Sequence, residues 1–248
     1  MAAIDLKPRT GVELIDASFQ FLRENFTLLF TTVAVTYAPI ALFEYMAATN
    51  PTDVTRTLTA RLVTWFFASM AQAATVEIVA TRYMGEDITP ADALRAVWRR
   101  LGTVLFVTFA YGLVVGFGTV LLIIPGIYFA TKYFAAMAAA MIEGKPMNAA
   151  MDRSARLTDG SKRRVLNIFG LTLLIYFLLN GAIVFLVGMA VSPPIAALVA
   201  RLTMAVTNPF LFTLVTLVYF DLRIRKEGLD LDFMMATPAV PASGAVPG

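Results

Sequence analysis

The chain has 248 residues, of which 58% are hydrophobic and 15% charged, with a formal net charge of +3 and a pI near 9.3. A water-soluble fold of this size cannot hide that much apolar surface in one core. Cysteine and histidine are both absent, which excludes a disulfide framework, thiolate chemistry, Cys/His metal sites and the commonest general base.

Residues 1–10 are polar, so no cleavable signal peptide is expected. Val12, Ile15, Phe19, Leu22 and Phe26 then step by three and four, with Glu13, Asp16, Gln20 and Arg23 on other faces. That spacing predicts an amphipathic helix. Two apolar runs follow, at 26–47 and 58–81, parted by the turn Asn50-Pro51-Thr52-Asp53. Each is long enough to cross the hydrocarbon as a helix.

A charged linker at 85–100 has a helical period of its own. Ala91, Leu94, Val97 and Leu101 share one face, and Asp92, Arg95 and Arg99 another. Thr89-Pro90-Ala91-Asp92 opens it with a hydroxyl cap and a proline at the first helical position. Runs at 102–124 and 126–143 come next, with the turn expected at Pro125-Gly126. A second charged linker, 144–164, sets Met147, Ala150, Met151 and Leu157 against Asp152, Arg153 and Arg156. The last runs, 165–190 and 195–220, meet at Ser192-Pro193-Pro194. Residues 233–248 are small, Pro-rich and uncharged, and read as a disordered tail.

The expected fold is an all-α, polytopic membrane bundle over 1–232, with six transmembrane helices and three amphipathic helices in the membrane interface. The runs are too long and too uniformly apolar for a β-barrel. Amphipathic helix, span, turn, span and glycine recur three times, so a parallel threefold repeat is expected, with units at 12–84, 89–143 and 146–221. Gly85, Gly144 and Gly228 mark the three exits. Lysine and arginine crowd the N-terminus, both charged linkers and the C-terminal flank, whereas the opposite turns carry only Arg56 and Arg61. The basic side, with both termini, is therefore expected in the cytoplasm of a cell inner (plasma) membrane.

The segment from Asp221 to Asp232, Asp-Leu-Arg-Ile-Arg-Lys-Glu-Gly-Leu-Asp-Leu-Asp, follows Tyr219-Phe220. It resembles the closing motif of the membrane domain of glycerophosphoryl diester phosphodiesterases and its stand-alone bacterial relatives. Pro125-Gly126-Ile127-Tyr128 leading to Glu143-Gly144, and Arg153-Ser154-Ala155-Arg156-Leu157-Thr158-Asp159-Gly160, are similar to the same family. Ala155 stands where the family often has an aromatic. The resemblance covers residues 12–232 and implies a multi-pass module. In fused members the phosphodiesterase chemistry belongs to a separate barrel domain, which this chain does not encode.

No phosphate loop, nucleophile elbow or metal-spaced cluster is present, so no cofactor and no metal are expected. Glu77 and Glu143 are the candidate acid and base, set against a plainer role capping helix ends or pairing with Arg82 or Arg164. Asp221 with Arg225 and Arg223 with Glu227 fit i,i+4 ion pairs on one exposed helix end. Ions within the spans are costly and mark sites. Lys132 and Arg201 each lie seven residues past an outer turn, and Glu44 lies near the outer end of the first span. The three are expected to meet in one layer, with Gln72, Asn180 and Asn208 adding polarity deeper in. Gly112, Gly116, Gly118 and the alanines of 135–140 predict close helix contacts.

The reading that results is a non-enzymatic integral membrane scaffold or accessory protein that organises partners or lipids. A transporter or channel built on Glu44, Lys132 and Arg201 is the alternative, followed by a membrane-embedded enzyme acting on lipid headgroups. Anionic headgroups are the expected partners, through Arg95, Arg99, Arg153, Arg156, Arg163, Arg164, Arg223 and Arg225; nucleic acid is not.

Overall fold

A computed structural model describes residues 8–228 of the chain. The regular elements among them are all helices: α1 (Gly11–Glu24), α2 (Phe26–Thr49), α3 (Val54–Tyr83), α4 (Pro90–Arg99), α5 (Leu101–Leu121), α6 (Ile123–Tyr133), α7 (Ala136–Ile142), α8 (Met147–Thr158), α9 (Lys162–Ala190) and α10 (Pro193–Glu227). Six spans are long and apolar enough to cross a bilayer: α2, α3, α5, α6 with α7 as one interrupted span, α9 and α10. The chain is an all-α, multi-pass membrane protein. The tail expected at 233–248, and Leu229 to Asp232 of the closing motif, lie outside the described residues.

The amphipathic helices start where their caps dictate. Thr10 and Glu13 form a reciprocal capping box on α1, and the Thr89 hydroxyl accepts from the Asp92 N–H on α4, with Pro90 at the first position. Gly85, Gly144 and Gly228 follow the three closing spans, and all three have positive φ, at 84°, 66° and 62°. Only glycine enters that region without strain, which is why the three exits read alike in the sequence.

Packing follows a cyclic order. α4 lies on α3, α8 on α7, and α1 on α10, so each amphipathic helix covers the closing span of the unit before it. The first unit thereby closes onto the last. Each of these helices buries one face against protein: Leu14 and Phe21 from α1, Ala93 and Val97 from α4, Ala150 and Leu157 from α8; on α1 this is not the expected stripe, whose Val12, Phe19 and Phe26 are exposed. Burying a leucine fully, as at Leu14, contributes ~2 kcal/mol. The helices expected to lie free in the interface are docked, with Val12, Phe19 and Trp98 left outward as the apolar residues available to lipid. The core they surround joins the C-terminal halves of α3 and α10 to all of α7. Ala135 to Ala140 are all buried there, as the alanine run predicts, because small side chains let α7 sit between neighbours.

The fourth span is broken at Phe134 and Ala135. A break frees backbone groups that lipid cannot pair. Here α8 supplies the partners. The Ser154 and Thr158 hydroxyls donate to the Lys132 carbonyl at 3.0 and 3.2 Å, and the Ala135 N–H donates to Ser154 Oγ at 3.2 Å.

The turn between α5 and α6 falls at Leu122, not at Pro125-Gly126 as expected. Pro125 sits in the first turn of α6, where its missing N–H is no loss. Gly126 and Gly118 instead allow α5 and α6 to touch: a Cβ on Gly126 would fall 2.1 Å from Thr119 Oγ1 and 2.8 Å from Thr119 Cα, and one on Gly118 would fall 2.9 Å from Phe129 Cδ2. Gly112 and Gly116 do not make the close contacts expected of them, since a Cβ at either would meet nothing within 4 Å. The tip of this hairpin is apolar and outward, with Val120 84% and Ile124 80% exposed.

Candidate functional site

Two of the three ions expected in one layer meet, and the third does not. Arg201 Nη2 lies 3.2 Å from Glu44 Oε1, bringing α10 to α2. The same oxygen accepts from Thr64 Oγ1 at 3.0 Å, with Arg61 Nη1 at 3.6 Å. Lys132 is absent from this group; its ammonium lies 5.1 Å from the ring centre of its neighbour Tyr133. With the turn at Leu122, Lys132 lies ten residues past it and not seven, and α6 packs on α5, α8 and α9, not on α2. Deeper in the bundle a neutral chain continues the polar layer. Asn208 bonds both Tyr37 and Tyr176, and Asn180 bonds the Tyr176 carbonyl at 2.9 Å and Thr207 at 3.3 Å. These residues hold α2, α9 and α10 together around Pro209.

On the basic side, acids and arginines interlock across units. The Asp221 carboxylate is buried and takes Arg164 at 3.0 Å, Arg225 at 2.9 Å and the Arg9 N–H at 2.8 Å. Arg164 and Arg225 also donate to the Arg9 carbonyl. The pair expected on an exposed helix end is thus a buried staple joining α1, α9 and α10. Glu143 forms the second staple: Arg153 Nε donates to both its oxygens at 2.8 and 2.9 Å, Arg223 lies at 3.7 Å, and the Tyr219 hydroxyl donates as well. Burial pushes the Glu143 carboxyl up, but the bonds from Tyr219 and Arg153 outweigh it and hold it below the usual glutamate range. Arg153 and Arg223 go on to Glu227, at 2.7 Å from Arg153 Nη2 and 3.2 Å from Arg223 Nε. Arg100 Nη1 donates to the Ala140 and Met141 carbonyls at 3.1 and 2.6 Å and so caps α7, while Glu77 stands near the same guanidinium. No group of three or more Asp and Glu side chains suits a metal among the described residues.

Of the eight arginines expected to reach headgroups, Arg153, Arg164, Arg223 and Arg225 are taken by these staples. The i,i+4 pairs of Arg223 with Glu227 and Arg225 with Asp221 are the expected ones; for Arg153 and Arg164 sequence spacing could not tell, because their acid partners Glu143, Glu227 and Asp221 sit on other elements. Arg95 pairs with Asp92 at 2.7 Å on the open surface, where the pair is weak. Arg99, Arg156 and Arg163 are exposed and have no carboxylate partner among the described residues. Arg23, which the expected set omits, is exposed in the same way. Arg23, Arg99 and Arg156 occupy the last turns of α1, α4 and α8. The expected repeat was the signal that could have found Arg23.

The spans also enclose a cavity of about 470 Å³ where the α5–α6 hairpin faces α9 and α10. None of its lining side chains is charged, and none belongs to the Glu44–Arg201 layer. No family model matches the chain, and no curated protein or solved structure matches it.

Proposed function

We propose that the chain is a non-enzymatic integral membrane scaffold that binds anionic headgroups on its basic side, which is cytoplasmic by charge bias. One observation carries this reading. Each of the three amphipathic helices ends in an exposed arginine, Arg23, Arg99 or Arg156, with no acid to neutralise it, at the edge where the next span enters the bilayer. A cation in a last turn also suits the helix dipole. That role needs no open surroundings, and all three have them. Arg95 and Arg163 add to the same face.

Glu143, one of the two acids that could have done chemistry, is committed elsewhere. A carboxylate held by two guanidinium groups and a phenol is a poor proton acceptor, which is the state of Glu143. The resemblance to the membrane domain of glycerophosphoryl diester phosphodiesterases agrees with a structural role. Its motif residues Arg153, Ser154, Thr158, Asp221, Arg223 and Glu227 are the ones that join units. A transporter reading draws less support, because Glu44 and Arg201 are paired outside the cavity.

The test is lipid exchange in nanodiscs. The chain is expected to enrich phosphatidylglycerol over phosphatidylcholine, less so as salt rises, and to release no glycerol 3-phosphate from a glycerophosphodiester. Replacing Arg23, Arg99 and Arg156 by glutamine should remove most of the enrichment, at ~1 kcal/mol per arginine. Salt-independent binding, or turnover lost in Glu143→Gln, would overturn the reading.

A further inference from the structure

The cavity between the α5–α6 hairpin and α9–α10 has the chemistry of a ligand site, and it stands independently of the arginines. Its walls are aromatic and aliphatic; Phe134 and Phe169 pack on each other in its wall at 5.2 Å between ring centres. Five polar side chains also line it; Thr108 and Thr131 donate to carbonyls of their own helices, which leaves Gln72, Tyr111 and Tyr133. None of these three has a hydrogen-bond partner among the described residues, although each can donate. Polar groups without partners are expensive in hydrocarbon. Asn180, Asn208 and Tyr176, by contrast, have partners.

Their depth narrows the choice of ligand. Gln72 is eleven residues before the end of α3, Tyr111 ten after the start of α5, and Tyr133 nine before the end of α7. At ~1.5 Å per residue all three lie roughly 15 Å from the basic ends of their spans. That is close to the middle of a hydrocarbon layer ~30 Å thick. A phospholipid keeps its ester carbonyls at the interface and cannot bring them to this layer. Ile127, Leu166 and Leu173 line the cavity and are partly exposed on the outer wall of the bundle, so its mouth opens sideways into lipid.

We propose that this cavity binds a neutral, membrane-dissolved lipid that carries carbonyl acceptors on a flat ring and an apolar tail, the chemistry of an isoprenoid quinone. The ring packs against Phe134, Phe169 and Phe212, its carbonyls accept from Tyr111, Tyr133 and the Gln72 amide, and the tail leaves past Leu166 and Leu173. The uncharged lining selects a neutral molecule. At ~30 Å³ per water-sized group, the volume holds on the order of 16 heavy atoms, enough for a substituted ring and its first prenyl unit.

Decylubiquinone titrated into the full chain in phosphatidylcholine nanodiscs tests this, with empty nanodiscs as the partition blank. Without anionic lipid present, the result is separate from that of the arginine reading. Saturable binding of one molecule per chain is expected. Tyr111→Phe and Gln72→Leu should each weaken it several-fold, and Ala130→Phe should abolish it. Gly170→Leu is a second blocking variant; a Cβ there meets nothing within 4 Å, and leucine favours the helix. Thermal unfolding identifies which blocking variant is folded. Binding no greater than in empty nanodiscs, or unchanged in a folded blocking variant, overturns the proposal. So does an acyl chain of a phospholipid found in the cavity.

Discussion

The Ser154 hydroxyl of α8 donates a 3.0 Å hydrogen bond to the Lys132 carbonyl of α6, at the point where the fourth span breaks. It accepts from the Ala135 N–H at the same time. Ser154→Ala leaves an N–H without its partner, and the carbonyl keeps only Thr158. A loss of ~1–3 kcal/mol is expected, read as a lower melting temperature in detergent. Ser161→Ala, outside this junction, should leave it unchanged. Equal melting of both variants would mean that the break is not held by α8.

Glu143 makes stability depend on pH in a defined direction. Its folded pKa lies below the ordinary glutamate value, so its contribution is fully present above that value and is lost as pH falls through the folded one. Unfolding curves should therefore steepen in acid below about pH 4.3. Glu143→Gln should be less stable at neutral pH and flatter in acid. An acid limb of unchanged slope would place the titration elsewhere.

The Glu44–Arg201 pair is open to a double-mutant cycle. Glu44→Gln and Arg201→Met each leave one ion stranded near the outer face, and the double variant should recover part of the loss. A coupling of ~1–3 kcal/mol is expected, while Lys132→Met should show none with either residue. Additive losses would argue that Arg61 or solvent, not Arg201, neutralises Glu44.

Topology follows from the spans and the charge bias. Cysteines placed at Thr52 and Ser192 should react with an impermeant maleimide added outside whole cells, and one at Ser161 should not. A cysteine at Leu122 should stay protected, because the α5–α6 tip offers no polar residue to hold it in water. The reverse pattern at Thr52 and Ser161 would invert the orientation.

The spans were legible because some twenty apolar residues in a row have few meanings. The glycine exits were legible because positive φ leaves little choice of residue. What the sequence hid was azimuth. Lys132 lies ten residues past the turn at Leu122, deeper than expected, and the two-hairpin geometry that turns it from Glu44 appears only in packing. Gly112 and Gly116 have the spacing of a contact stripe, but that stripe faces outward. Asp221 and Arg225 look the same at i,i+4 whether exposed or buried, and the third member, Arg164, is 57 residues away. The cavity had no signature beyond Gln72, since its walls come from six helices that are each ordinary alone.

The closure of α1 onto α10 makes the order of the chain partly arbitrary. The Arg9 N–H and the Asp221 carboxylate are 2.8 Å apart, so residue 8 and residue 228 are separated by about the two turns of helix after Asp221, ~10 Å. A short polar linker can join them. The chain can then be opened between Gly85 and Asp87, which lie on the surface. Such a circular permutant would begin with α4 and end with α3 while keeping every helix pairing described above. The ring as a whole, and not the point at which translation enters it, is then the unit that folds.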